Sequence, residues 1–171
     1  LACAVFRESN RNAAGEFDGC GLLPEQVQGF GLGVMEARAR WCAQEDGIDF
    51  ANGRVYGPHG SGLVVANDPA AYDEAVSARL TERTVHANLE VRALGFKPYL
   101  APALSSAAVS ILSLVRGQPY YAALPLGGVW LGAQRRMTTL GPLQRREPLH
   151  PALLARIEAA RLELEAFCHD A

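Results

Sequence analysis

The segment Gly53-Arg54-Val55-Tyr56-Gly57-Pro58-His59-Gly60-Ser61-Gly62-Leu63-Val64-Val65 decides how the rest of the chain is read. Two short runs of β-branched and aromatic residues flank a turn that contains three glycines, a proline and one histidine. Glycine and proline punctuate a backbone that must reverse sharply, so the pattern predicts strand, loop, strand. The loop leaves His59 at a strand end among residues with little bulk. A ligand can approach closely there, because glycine presents no side chain.

Outward from the hairpin, helical periods dominate. Upstream, Pro24 suits the first turn of a helix. Val27, Phe30, Val34, Ala37 and Trp41 then recur every three or four residues, predicting an amphipathic helix to about Gln44. Gly29, Gly31 and Gly33 oppose it by about 1 kcal/mol each against alanine. That predicts either a frayed start or another backbone packed closely against it. Downstream, Asn67-Asp68-Pro69 reads as a helix start, with Ala71, Ala75, Ala78, Val85, Leu89 and Val91 on its apolar side and Gly95 as its stop. Ala103–Val115 is apolar nearly all round and predicts a buried helix.

Three strand-like runs follow, Tyr120–Leu124, Val129–Ala133 and Met137–Leu140, with Leu143–Pro148 read as an exposed edge or loop. The chain ends in a helix from Pro151 to about Phe167, with Leu153, Ile157, Ala160, Leu164 and Phe167 inward. Arg156, Glu158, Arg161 and Glu165 form its outer face. The order α, β-hairpin, long α, buried α, three strands, α predicts an α+β fold, a mostly antiparallel sheet with packed helices.

Composition sets bounds. The chain has 171 residues, 49% apolar and 20% charged, which suits one ordinary globular domain. A net charge of −2 supplies no electrostatic case for nucleic acid or an anionic membrane. No apolar run reaches the roughly 20 residues that span a bilayer. The four cysteines lack Cys-x-x-Cys spacing, so reduced thiols and a cytoplasmic setting are expected, with no metal site. The first residue is Leu, which suggests a piece of a longer chain. Arg135-Arg136 and Arg145-Arg146 read as solvated pairs. His86, His150 and His169 read as surface or terminus residues.

The segment Gly57-Pro58-His59-Gly60-Ser61 resembles the Gly-Glu-His-Gly-Asp/Gly-Ser/Thr motif of the lactate/malate dehydrogenase family. Gly19-Cys20-Gly21-Leu22 is similar to the opening of that family's C-terminal half. Glu90-Val91, Gly95-Phe96, Leu131-Gly132 and Leu140-Gly141 resemble later landmarks. The resemblance divides the chain into an incoming connector, 1–18, and a lactate/malate dehydrogenase C-terminal-like domain, 19–171. The family's N-terminal Rossmann domain has no counterpart here, and Gly29-x-Gly31-x-Gly33 lacks the Gly-x-Gly-x-x-Gly spacing.

The resemblance also implies roles for individual residues. By it, His59 is the acid/base that takes the proton of a small 2-hydroxy acid, or returns it to the 2-oxo acid. Gly60 and Ser61 line the substrate site. NAD serves in a full-length parent, none is expected for this chain alone, and self-association into a homo-oligomer is the default. The family also places an aspartate that orients the histidine and, three residues on, an arginine that grips the substrate carboxylate. Aligned on Gly-Cys-x-Leu, these positions fall on Leu23 or Pro24 and on Gln26 or Val27. Pro58 likewise stands where the family has glutamate. Glu25, with Gln26 beside it, is then the candidate orienting carboxylate, and Lys97, the one lysine, the candidate cation. The alternative is a non-catalytic oligomerisation or small-ligand-binding module derived from the same fold. A third reading takes Gly-Pro-His-Gly as an unrelated hairpin turn.

Overall fold

A computed structural model describes residues 27–95 and 107–169. Within them the order is α1 (Leu32–Glu45), β1 (Arg54–Tyr56), β2 (Val64–Ala66), α2 (Glu74–Ala93), α3 (Ala107–Val115), β3 (Tyr120–Leu126), β4 (Val129–Thr138), β5 (Gly141–Gln144) and α4 (Pro151–His169). All strand pairs are antiparallel, and helices pack on the strands, so the architecture is the expected α+β.

The hairpin forms as its sequence predicts, with Arg54 opposite Ala66, Val55 opposite Val65 and Tyr56 opposite Val64. β3, β4 and β5 make a meander. Gly127 and Gly128 both take positive φ at its first turn, the backbone that a two-residue hairpin loop requires. Among the described residues, one backbone hydrogen bond joins the two sheets. Gly57 N–H donates to the Gly132 carbonyl at 3.0 Å, and a Cβ on Gly132 would lie 2.6 Å from the Gly57 oxygen. Side-chain-free backbone on β4 is therefore what lets the hairpin settle onto the meander.

α1 starts at Leu32, eight residues after Pro24, which itself lies outside the described residues. The glycine-rich approach is extended. Gly29 exchanges two backbone hydrogen bonds with Ala123, at 3.1 and 2.9 Å, as an added rung beside β3. Gly33 lies within the helix, and a Cβ there would come 2.2 Å from Ser110 Oγ on α3. Fraying and close approach are thus both present. The buried stripe of α1 is Leu32, Met35, Ala39, Cys42 and Ala43, while Ala37 and Trp41 of the expected stripe are exposed. Small or apolar residues fill both stripes, so periodicity could not choose between them.

Asn67-Asp68-Pro69 does not open α2. Asp68 Oδ1 accepts from the Ala70 and Ala71 amides at 2.8 and 2.9 Å, forming a local turn that delays the helix. Asp73 is the true cap and accepts from the Val76 amide at 2.9 Å. The stripe shifts accordingly to Ser77, Leu80, Thr84 and Ala87, leaving Ala71, Ala75, Ala78 and Leu89 exposed. Two hydroxyls on this side of the helix are satisfied by hydrogen bonds. The Ser77 hydroxyl accepts from the Asn67 amide and donates to its side chain, and Thr81 accepts from the Val65 amide at 3.1 Å. Gly95, at φ 86°, follows the helix end as expected.

The expectation of a buried helix over 103–115 is overturned within its described part. Only Ser110 of α3 is buried, whereas Val109, Ile111, Leu112 and Val115 are 63, 44, 49 and 74% exposed. α3 touches α1 and β3 through one narrow face, the one bearing Ser110 against Gly33. Apolar composition announced a need for cover that these neighbours do not meet.

Two strand limits also move. Met137 and Thr138 finish β4, the turn lies at Thr139-Leu140, and Gly141–Gln144, partly expected as loop, is β5. Pro142 is tolerated because β5 is an edge strand. Arg135, expected in solvent, is 4% exposed and donates to Gln144 Oε1 at 2.8 Å and to the Leu131 carbonyl at 3.2 Å. α4 buries Leu153, Ala160 and Leu164 as its pattern predicts. Its Arg156 nevertheless turns inward, donating to Tyr72 Oη at 2.6 Å and to Thr81 Oγ1 at 3.1 Å.

Candidate functional site

Residues 57–62 close a tight loop between β1 and β2. Gly57, Gly60 and Gly62 have φ of 88°, 96° and 82°, a region in which side-chain-bearing residues are strained. A Cβ on Gly57 would stand 2.8 Å from the Gly62 carbonyl oxygen, so the two shoulders of the loop almost touch. The Leu63 amide donates to the Gly60 carbonyl at 3.0 Å and finishes the reversal. α4 backs the loop, with Ala160 and the Glu163 carboxylate at van der Waals range of the positions a Cβ would take on Gly57 and Gly62.

This scaffold holds His59 and Gly60 partly buried and leaves Ser61 exposed. Burial drives the His59 imidazole down to about 4, and the charge of the Arg38 guanidinium adds to the depression. A ring in that state is neutral at pH 7, a proton acceptor and not a donor. Arg38 projects from α1, partly buried, with Nη1 3.8 Å from Met35 Sδ. Cation and imidazole thus come from separate elements, α1 and the hairpin, which share the core of Leu32, Met35, Val55 and Leu63.

Of the residues that the sequence nominates, the structure brings His59, Gly60 and Ser61 together in one loop. Glu25, Gln26 and Lys97 lie outside the described residues. Val27 packs beside Ala123 and Trp130 near the edge of the meander. The cation whose field reaches His59 among the described residues is Arg38, which sequence reasoning missed. Its signal was present: Arg38 follows Met35 by three, the separation expected between an orienting residue and a carboxylate-gripping arginine. The glycine-rich approach hid it by suggesting a helix that began too early. Among the described residues no three His, Cys, Asp or Glu side chains gather as metal ligands, and no helix is long and apolar enough to cross a membrane.

No protein-family profile and no curated protein sequence matches the chain. Solved structures do. The malate dehydrogenase of Archaeoglobus fulgidus, in complex with NADH, superposes with a TM-score of 0.70 at 16% identity, over 90% of this chain and 55% of its own. The L-lactate dehydrogenase of Clostridium thermocellum gives 0.67 at 15% identity, over 91% and 59%. The malate dehydrogenase of Aeropyrum pernix gives 0.63 at 17%, over 90% and 59%. This chain therefore spans little more than half the length of these dehydrogenases, and over that span it has the fold of a lactate/malate dehydrogenase C-terminal-like domain.

Proposed function

We propose that this chain, from about Gly19 onward, is the substrate-binding half of an NAD-dependent 2-hydroxyacid dehydrogenase of the lactate/malate type. The observation that carries the reading is the glycine-framed His59 loop on that fold, with a largely desolvated, neutral imidazole on which the Arg38 charge acts. Arg38 binds the carboxylate of a small 2-hydroxy acid, since a guanidinium offers paired donors to a carboxylate. This orients the substrate hydroxyl toward the His59 imidazole, which accepts its proton as general base. Gly60 and Ser61 shape the wall beside the reacting carbon, and Glu25, Gln26 and Lys97 are further lining candidates. NAD, held by the nucleotide-binding half of a parent chain, supplies the hydride acceptor. The glycines around His59 suit that chemistry, because they leave room for a flat ring against the loop.

An anionic substrate also retunes the base. Its negative charge offsets Arg38 and favours the imidazolium, so proton uptake becomes easier once the ligand is in place. The same argument makes the substrate-free chain a poor proton donor, and reduction of a 2-oxo acid requires the bound anion to raise the His59 pKa first. Alone, the chain is catalytically silent, because hydride transfer needs the other half.

A second reading, a non-catalytic ligand-binding or oligomerisation module, is favoured by one residue. Met35, a buried thioether, stands three before Arg38, where the dehydrogenase plan has an aspartate. Calorimetric titration with L-malate and L-lactate separates the outcomes. Binding by wild type, at least tenfold weaker in Arg38→Gln, supports the substrate-binding half. No binding, or equal binding by Arg38→Gln, contradicts it. In a full-length parent, His59→Ala lowers kcat by about 10²–10⁴-fold if His59 is the base, whereas no activity on 2-hydroxy acids in either form points to the module.

A further inference from the structure

The open end of the β1–β2 hairpin, away from the His59 loop, carries a second concave site. A cleft of about 260 Å³ lies between the loop at 68–70 and the segment 145–148. Arg54 of β1 lines it while being only 8% exposed. Glu147 bridges the cleft's two arginines. Its Oε1 lies 3.5 Å from Arg54 Nε and accepts from Tyr56 Oη at 3.3 Å, and its Oε2 lies 3.1 Å from Arg145 Nε. The pattern is two cations and two carboxylates around one small space.

Their hydrogen-bonding capacity is only partly used. Arg54 Nη1 donates to the Asn52 and Gly53 carbonyls at 2.9 and 2.8 Å, and its buried Nε has no hydrogen bond. Arg145 Nη1 donates to Gln134 Oε1 at 3.3 Å. That leaves Nη2 of each arginine for a further acceptor. Asp68 Oδ1 is taken by the Ala71 and Ala70 amides, which hold the carboxyl below its ordinary range, so it stays ionised. Its Oδ2 accepts from Asn52 Nδ2 at 3.0 Å and has a second lone pair available.

A lone anion entering this space meets Asp68 and Glu147, and a lone cation meets Arg54 and Arg145. Each is repelled by half of the lining. A ligand bearing both signs on neighbouring atoms avoids both costs. We propose that this cleft binds the zwitterionic head of a free α-amino acid, with its carboxylate on Arg54 and Arg145 and its ammonium on Asp68. The volume admits a small side chain as well. The proposal does not depend on the dehydrogenase reading, since none of these residues belongs to the His59 loop.

The test is an NMR titration of the chain with L-alanine and with its two single-charge counterparts, propionate and ethylamine. L-Alanine is expected to shift the amide signals of Asp68, Ala70, Ala71 and Glu147 saturably, with propionate and ethylamine at least tenfold weaker. Arg145→Gln, at a half-exposed side chain, and Asp68→Asn, which keeps an oxygen for the Ala70 and Ala71 amides, are expected to preserve the fold. Each should weaken L-alanine at least tenfold while leaving the free-state spectrum elsewhere unchanged. Failure of L-alanine to saturate, propionate or ethylamine binding as tightly as alanine, or full affinity in either variant would overturn the assignment.

Discussion

His59 sits where two effects act in the same direction, since both desolvation and the Arg38 charge disfavour its protonated form. Removing the charge while keeping the volume, as in Arg38→Gln, should raise its pKa from about 4 while leaving it below 6.5, because burial, the larger cause, remains. An NMR titration of the ring carbons measures this, and an unchanged value would show that the guanidinium is not felt. The depression has a consequence for stability. The folded state holds fewer protons on this residue than the unfolded state between pH 6.5 and about 4. Stability is therefore intact above pH 6.5 and declines as the pH falls through that window. Partial solvent access limits the loss to about 1–3 kcal/mol. In His59→Gln this segment of the pH profile should flatten, as read by urea unfolding at pH 7 and pH 4.5.

At the scale of elements, the hairpin is held where it is by an absence of side chains. A Cβ on Gly132 would come 2.6 Å from the Gly57 oxygen and 2.8 Å from Leu32 Cδ2, and the backbone of one strand cannot yield as a flexible side chain can. Gly132→Ala should therefore cost about 1–3 kcal/mol and loosen the His59 loop. Thermal unfolding and amide exchange at Leu63 check both effects, and wild-type values for both would contradict the packing described. By contrast Asp73→Ala removes only a helix cap, worth about 1 kcal/mol, and should leave exchange at Leu63 unchanged.

The same elements show what was legible. The hairpin and α4 could be read because glycine placement, alternation and a single apolar stripe agreed. α1 and α2 were read at the wrong starts because Gly29 and Asp68 satisfy the backbone in ways that compete with a helix, by a strand rung and an Asx turn. The loop with His59 was visible as a motif. Arg38 was not, because methionine in place of aspartate at position 35 left the three-residue spacing unmarked, and only the packing of α1 brings its charge to bear on His59.

For the whole molecule, the exposed side chains of α3 matter most. A nine-residue helix that buries a serine and exposes Val109, Ile111, Leu112 and Val115 is amphipathic the wrong way round for a surface element. The structurally similar dehydrogenases continue well beyond the region this chain matches. Under the proposed function, the nucleotide-binding half of a parent chain is the occupant expected on α3. Leu112→Asp should leave the fold of this chain intact, since the side chain is already half exposed, and should weaken docking of that half in a parent protein. Circular dichroism of the variant, together with limited proteolysis between the halves, tests the assignment, and unaltered proteolysis would contradict it.

The most direct test of the paired His59 and Arg38 is the His59 titration curve recorded with and without saturating L-malate. A bound 2-hydroxy acid seated on Arg38 should move the imidazole from about 4 toward neutrality in wild type and fail to do so in Arg38→Gln. A titration curve that ignores the ligand in wild type would contradict the pairing.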